Sequence, residues 1–319
     1  MSDPDYSIIA PVYNESGSLP EFYRRVKETM QTLGDSWELV LIDDGSQDGS
    51  TEIVYNIASG DEHIQPVIFA RNFGHQLAVT AGLDYSRGKA VIIIDSDLQD
   101  PPEVIPELIE KWQEGFEVVY AVRTEREGES WFKLLTASVF YRLIYRITDV
   151  NIPLDTGDFR LLDRKVVNVL KQMRERHRFL RGMSVWVGFK QTGVSYRRAA
   201  RFAGQTKYPL KKMFKFASDA ITGFSYLPLQ LATFIGFISA GLSILAIPLV
   251  IALRLAGSQA FFGQASTLIA VLFLGGVQLI SLGILGEYIG RLYDEARGRP
   301  LYIVRNDPQS NIKSSNSSK

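Results

Sequence analysis

The 319-residue sequence contains no cysteine. Disulfide frameworks and thiolate zinc sites are therefore excluded, and a reducing compartment is permitted. Net charge is absent too, with 35 basic side chains against 35 acidic. A general nucleic-acid binder carries a basic surplus, so no nucleic-acid partner is expected. Neither G-x-x-x-x-G-K-[ST] nor G-x-G-x-x-G occurs, which argues against a P-loop ATPase and against a nicotinamide enzyme. The start, Met-Ser-Asp-Pro-Asp, lacks the basic and apolar regions of a cleaved signal peptide. The most informative absence is local. Residues 220–286 hold no Asp, Glu or Lys and one Arg, Arg254, while the preceding residues have the mixed composition of a soluble α/β domain. A soluble domain with a membrane anchor is the expectation.

What is present alternates. Tyr6–Tyr13, Trp37–Ile42, Val67–Phe69 and Val91–Ile94 read as strands, and helices are expected at Ser18–Leu33, after an N-cap at Ser50, and at Leu77–Tyr85. Phe22, Val26, Met30 and Leu33 share one face of the first helix. Further on, a helix at Glu103–Glu114, a strand at Glu117–Arg123 and a helix near Lys165–Met173 continue the pattern. Strand alternating with helix predicts a doubly wound, mostly parallel sheet, with no internal repeat. Trp131–Thr148 and Leu210–Phe224 read as amphipathic basic helices suited to a membrane interface.

Two apolar stretches, 227–253 and 262–285, each exceed the roughly 20 residues needed to span a bilayer core. Lys207, Lys211, Lys212 and Lys215 precede the first, Arg291, Arg297 and Arg299 follow the second, and only Arg254 lies between. Positive-inside counting places the preceding domain and both termini in the cytoplasm. The expected organisation is a domain over 1–209, an amphipathic helix over 210–224, two transmembrane helices, and a cytoplasmic tail over 286–319, without fixed structure from Asn306. Gly236, Gly241, Gly275 and Gly283 would permit close helix packing, hence a homo-oligomer.

The stretch Val91-Ile92-Ile93-Ile94-Asp95-Ser96-Asp97 puts two carboxylates just beyond a buried strand, where open parallel sheets bind their ligands. Two hard oxygen donors there suit Mg²⁺ or Mn²⁺ bridged to phosphates, and equally suit an acidic turn. Asp43-Asp44 ends a second strand. With no phosphate loop, a metal-bridged nucleoside diphosphate is the favoured occupant. Arg123, Lys133 and Arg201 lie on strand ends or helices that face the expected membrane interface.

Four segments occur in a set order: Pro11-Val12-Tyr13-Asn14-Glu15, Asp43-Asp44-Gly45-Ser46-x-Asp48-Gly49-Ser50, Arg71-Asn72-x-Gly74 and Asp95-x-Asp97-Leu98-Gln99-Asp100-Pro101-Pro102. Together they resemble the inverting family 2 glycosyltransferases of GT-A fold. Asp155-Thr156-Gly157-Asp158-Phe159-Arg160, Arg201-x-x-Gly204-x-Thr206-Lys207-Tyr208 and Gly286-Glu287-Tyr288-Ile289-Gly290-Arg291 narrow the resemblance. It is then to polyisoprenyl-phosphate glycosyltransferases, namely bacterial undecaprenyl-phosphate glucosyltransferases and dolichyl-phosphate mannose synthases.

The resemblance implies that Pro11, Tyr13 and Glu15 line the nucleobase and ribose pocket, and that Asp43 or Asp44 accepts from a uracil or guanine imide. Asp95 and Asp97 would contact ribose and metal, with Gln99 as a further ligand, and Asn72 would join the nucleotide-sugar set. Arg71 and His75 read equally as turn residues. Asp158, or Asp155, falls where the family places its general base. A phosphate monoester is already largely ionised at neutral pH, so Asp158 is expected to orient the acceptor or steady positive charge on the sugar. The implied reaction is transfer from a nucleotide sugar, UDP-glucose first, to a polyprenyl phosphate, whose phosphate Arg123, Lys133 and Arg201 would meet. GDP-mannose or a UDP-amino-arabinose derivative are the alternative donors. A processive synthase would carry Q-x-x-R-W, which is absent; a non-catalytic membrane scaffold is the rival from another class.

Overall fold

The structure, a computed structural model, describes residues 3–34, 36–124, 156–198, 227–256 and 264–306. The expected amphipathic helices, Lys133, Asp155, Arg201 and the terminus beyond Asn306 lie outside these residues.

Four strands rich in β-branched and aliphatic residues, β1 (Tyr6–Val12), β2 (Trp37–Asp43), β3 (Ile64–Phe69) and β4 (Ala90–Ile93), pair in parallel as β4-β1-β2-β3. Every residue of β1, β2 and β4 is buried, because both faces of the sheet are covered. Alternation along each strand sorts the side chains into two cores. Ile8, Ala10, Leu39, Leu41 and Ile92 meet α1 (Leu19–Leu33), α2 (Ser50–Gly60) and α4 (Ile105–Gln113). Ile9, Val40, Ile42, Val91 and Ile93 meet α3 (His75–Tyr85), α5 (Arg164–Gln172) and α6 (Leu180–Trp186). On α1, Phe22, Val26 and Met30 are fully buried, as their spacing predicts. Gly82 lets α3 lie directly on the sheet, since a Cβ there would stand 2.9 Å from Ile9 and Ile42.

Among the described residues the sheet has eight strands, ordered β7-β5-β6-β4-β1-β2-β3-β8. β5 (Val118–Arg123) matches expectation, but β6 (Thr156–Asp163) runs antiparallel between β4 and β5, and β7 (Gln191–Tyr196) completes that edge. Ser50 is the first residue of α2 rather than its N-cap. Gly49 precedes it in the left-handed region, and the Ser50 hydroxyl is occupied with Asp48 and Glu15.

The apolar stretches form α7 (Leu227–Leu255) and α8 (Gln264–Ala296), both long and apolar enough to cross a membrane. Helix α8 continues past the expected end at Leu285 to Ala296, with Glu287 and Arg291 ion-paired 3.2 Å apart on the added turns. The chain beyond α8, expected only as part of a cytoplasmic tail, then returns to the sheet. β8 (Val304–Asn306) pairs antiparallel with β3.

Candidate active site

The four parallel strands end on one edge, and the turns beyond them are laced together. Ser96 Oγ donates to the Pro11 carbonyl at 2.8 Å and Asp44 N–H to the Val12 carbonyl at 2.9 Å. Asn14 and Ser46, Glu15 and Ser50, and Ser16 and Asp48 join the first turn to the second. Gly45, at φ 71°, is required here: a Cβ would stand 2.6 Å from the Arg71 carbonyl carbon. Asn14 and Leu98 also adopt positive φ, 56° and 60°. That conformation is uncommon for a side chain as bulky as leucine, and such outliers concentrate at functional loops.

Between these turns lies a cleft of about 360 Å³ lined by Pro11, Val12, Tyr13, Glu15, Asp44, Asn72, Gly74, His75, Ala78, Asp95, Ser96 and Asp97. Of the expected nucleotide-sugar residues, Pro11, Tyr13, Glu15, Asp44, Asn72 and Asp95 are therefore brought together, along with Asp97. Tyr13 is 47% exposed, an open ring face suited to stacking on a base.

Asp43 does not line the cleft. It is fully buried, and its oxygens accept from Ser46 N–H at 3.0 Å and from the Thr51 hydroxyl. Sequence reasoning gave it a nucleobase; the structure gives it the turn. Asp44 is also engaged, accepting from Phe73 N–H, Gly74 N–H and the Asn72 amide. Burial raises its pKa, so its first task is holding the 72–74 turn. Gln99 is corrected likewise. Its Oε1, the atom a metal would use, accepts from Arg198 at 2.8 Å.

Asp95 and Asp97 fit a divalent cation. Asp95 Oδ1 is shielded from solvent and has no hydrogen-bond donor, and an acceptor so placed is costly unless something satisfies it. Burial, with the neighbouring Asp158, Asp100 and Asp97 charges, pushes the Asp95 carboxyl up to about 6 against the opposing pull of His75. Among the described residues no group of three or more His, Asp or Glu converges to hold a metal. Two carboxylates with the remaining positions filled by phosphate oxygens and water is a normal arrangement for Mg²⁺.

Asp158 lies beside this cleft, on β6. His75, from the first turn of α3, stands 3.0 Å from Asp158 Oδ2 and 3.7 Å from Asp95 Oδ1. Burial opposes charging that imidazole, but the Asp95 charge and the Asp158 hydrogen bond prevail and raise it to about 9. At neutral pH it is a cation joining the two carboxylates. Arg181 grips Asp158 from α6, with Nε 2.7 Å from Oδ1 and Nη2 3.2 Å from Oδ2. Burial would raise the Asp158 pKa, yet the Arg181 charge and the His75 contacts hold it well below the usual carboxylate range. A carboxylate so held makes a poor base. Arg160, buried next to it, donates to the Asp158 and Gly157 carbonyls and to Ser184.

Arg181 was missed by sequence reasoning, since it lies on a short helix outside every motif; the one available signal was that a buried Asp158 requires a counter-charge. Arg123, expected to meet an acceptor phosphate, is held by contacts within the domain. Its guanidinium lies within 3.1 Å of the Tyr196 hydroxyl and 3.6 Å of Asp100, and a Cβ on Gly157 would stand 2.5 Å from it.

Residues 7–170 match the glycosyl transferase family 2 domain. The uncharacterized glycosyltransferase YkcC of Bacillus subtilis is 52% identical over 300 residues, covering 94% of this chain and 93% of that protein. The bactoprenol glucosyl transferase of Shigella phage SfV is 44% identical over 303 residues, covering 95% and 99%. Among solved structures, the mannosyltransferase PcManGT of Pyrobaculum calidifontis in complex with GDP-Man and Mn²⁺ is 14% identical at TM-score 0.44, covering 91% of this chain and 88% of that one. The family match excludes the non-catalytic scaffold, and the chain belongs to glycosyl transferase family 2.

Proposed function

We propose that the protein transfers a sugar, glucose from UDP-glucose, to a polyprenyl phosphate at the cytoplasmic face of a membrane, inverting the anomeric centre. The observation that carries this reading is the His75 bridge. It brings the donor-side Asp95 and the acceptor-side Asp158 within 3.7 and 3.0 Å of one imidazole nitrogen. The bactoprenol glucosyl transferase relative supports both the lipid acceptor and the sugar. β8 supports the topology: chain that has passed through α7 and α8 rejoins the sheet it left, as two crossings require. The basic residues flanking the spans favour the cytoplasm for that side.

In this reading Tyr13 stacks on the base while Pro11, Glu15 and Asn72 shape the pocket for base and ribose. Asp95 and Asp97 would hold Mg²⁺ or Mn²⁺, which when bound supplies positive charge to the diphosphate. The acceptor phosphate approaches past Arg123, whose guanidinium lies beside Gly157; Lys133 and Arg201, outside the described residues, are the further basic residues proposed to bind it. At neutral pH its oxygen is already ionised. That oxygen attacks C1, the C1–O bond to the nucleoside diphosphate breaks, and the electron pair leaves with the diphosphate. Asp158 does not take a proton; its fixed negative charge steadies the positive charge developing on the sugar. Open faces at Gly236, Gly241, Gly275 and Gly283 extend the proposal to a homo-oligomer through α7 and α8.

Full-length protein in nanodiscs, with Mn²⁺, polyprenyl phosphate and radiolabelled UDP-glucose, GDP-mannose and a UDP-amino-arabinose derivative, tests the reading. Transfer from UDP-glucose is expected, reduced at least about a thousandfold in Asp97→Ala. No transfer from any donor, or an Asp97→Ala variant as active as wild type, would sink it.

A further inference from the structure

The chain emerging from α8 ends its described course behind the donor cleft. Phe69 pairs with Val304 and Ile68 with Asn306, and Ala70 N–H donates to the Ile303 carbonyl at 2.9 Å. These are the last residues of β3 before the 70–74 turn, whose Asn72 and Gly74 line the cleft. The Tyr302 ring stacks on Phe69, centroids 5.1 Å apart and planes 13° apart. Phe69 meets Phe73 edge-on at 5.6 Å, and Phe73 N–H donates to Asp44 in the cleft wall. The Tyr302 hydroxyl donates to Asp84 Oδ2 at 2.7 Å. Asp84 lies in the last turn of α3, the helix whose first turn carries His75. One side chain thus braces both the strand that feeds the donor turn and the helix that carries the bridging imidazole.

The base of this strap is fixed as well. Arg176 N–H donates to Glu295 at 2.6 Å, and His177 lies 3.4 Å from Asp294, so the end of α8 is tied to the α5–α6 connection. Without β8, β3 would be an edge strand with one row of unpaired amides, and the 70–74 turn would be held from the Asp44 side alone.

We propose that Tyr302, with the strap 301–306, is a positioning element of the donor site, coupling the membrane helix to nucleotide binding. The inference rests on the nucleotide-sugar reading of the cleft. Tyr302 touches neither donor nor acceptor; it acts through Phe69 and Phe73 on the turn. An edge cap with no such role would lower stability and leave the ratio of donor to acceptor affinity where it was.

Full-length protein in nanodiscs carrying Tyr302→Ala or Tyr302→Leu is titrated with UDP and with GDP, each with Mn²⁺, by calorimetry. Donor and acceptor KM and kcat are then measured separately. The leucine variant keeps an apolar cover on Phe69 and keeps the measurement available should the alanine variant not fold. Loss of the stacked ring is expected to weaken nucleotide binding and raise donor KM about three- to tenfold, with acceptor KM unchanged. Wild-type nucleotide affinity in a folded variant overturns the inference while leaving the donor reading intact, as does a loss confined to kcat and acceptor KM. Failure of the wild type to bind either nucleotide overturns both.

Discussion

Asp95 and Asp158 share one neighbour, His75, and differ in what else surrounds them. Asp95 has an oxygen shielded from water with no donor, and burial raises its pKa to about 6. Asp158 has both oxygens engaged by Arg181, one of them also by His75, and is held well below the ordinary range. The first carboxylate has only the shared His75 cation, 3.7 Å away, and the second has Arg181 of its own as well. A site that must bind and release a donor together with its metal leaves that cation to be supplied from solution. A site that must present a fixed negative charge through the whole reaction carries its own counter-ion, so that no reorganisation is needed when charge develops.

The largest expected effect comes from removing the built-in cation. Arg181→Met should lower kcat by about a hundred- to a thousandfold with donor KM nearly unchanged, and Arg181→Lys should recover part of the loss. The sign for pH follows from linkage. The folded pKa of Asp158 lies below its unfolded value, so its ion pair contributes stability above the unfolded pKa, lost as pH falls through the folded one. Without Arg181 the folded pKa rises, and the acid limb of the kcat profile should move to higher pH. A limb that stays in place would show that Arg181 does not set the charge on Asp158.

A smaller effect tests Asp95. Its folded pKa of about 6 lies above the ordinary value, so ionising it in the fold costs stability as pH rises from the unfolded pKa through 6; a bound cation restores it. Mn²⁺ affinity should be full above that pH and fall about tenfold per unit below it. Chelation should accordingly lower the thermal midpoint more at pH 7 than at pH 5. Equal shifts at both would remove Asp95 from the metal site.

The smallest effect is expected from cutting the link. His75→Gln removes a positive charge that both carboxylates use, but Asp158 keeps Arg181 while Asp95 keeps nothing. Mn²⁺ affinity should therefore weaken by about tenfold or less, and kcat at saturating metal should fall less than in Arg181→Met. If kcat fell as far, His75 rather than Arg181 would be the principal partner of Asp158.

The donor half of the site was legible because its residues follow one another along the chain. Strand, turn and carboxylates are contiguous at Val91–Asp97, and four such turns meet on one edge as parallel pairing dictates. The Asp158 half was legible in name only. Arg181 reaches it from a seven-residue helix, under two turns and too short to show a period. β7 was missed because its sequence, QTGVSY, is half-exposed along much of its length and carries few of the β-branched residues that mark buried strands. β8 spans three residues and exists only because β3 offers an edge to pair with. Asp43 and Gln99 misled for one shared reason. A polar residue beside a ligand site resembles a ligand until its partners are known, and theirs are Ser46 with Thr51, and Arg198. The end of the second span was drawn at Leu285 because hydropathy falls there, yet helix geometry does not stop where apolar composition does.

Those added turns, from Gly286 to Ala296, act as a ruler. A helix of that length is stiff and rises roughly 16 Å, and the contacts of Asp294 and Glu295 together with the strand after the helix tie it to the sheet domain. In the proposed arrangement the height of the cleft above the bilayer is written in a residue count. So is its heading, since each residue inserted into the ruler would lift the cleft by about 1.5 Å and turn it by about 100°. If the acceptor is the proposed lipid phosphate, which can rise only a short way from its leaflet, this length would set which acceptors arrive at all, before any side chain in the cleft selects among donors.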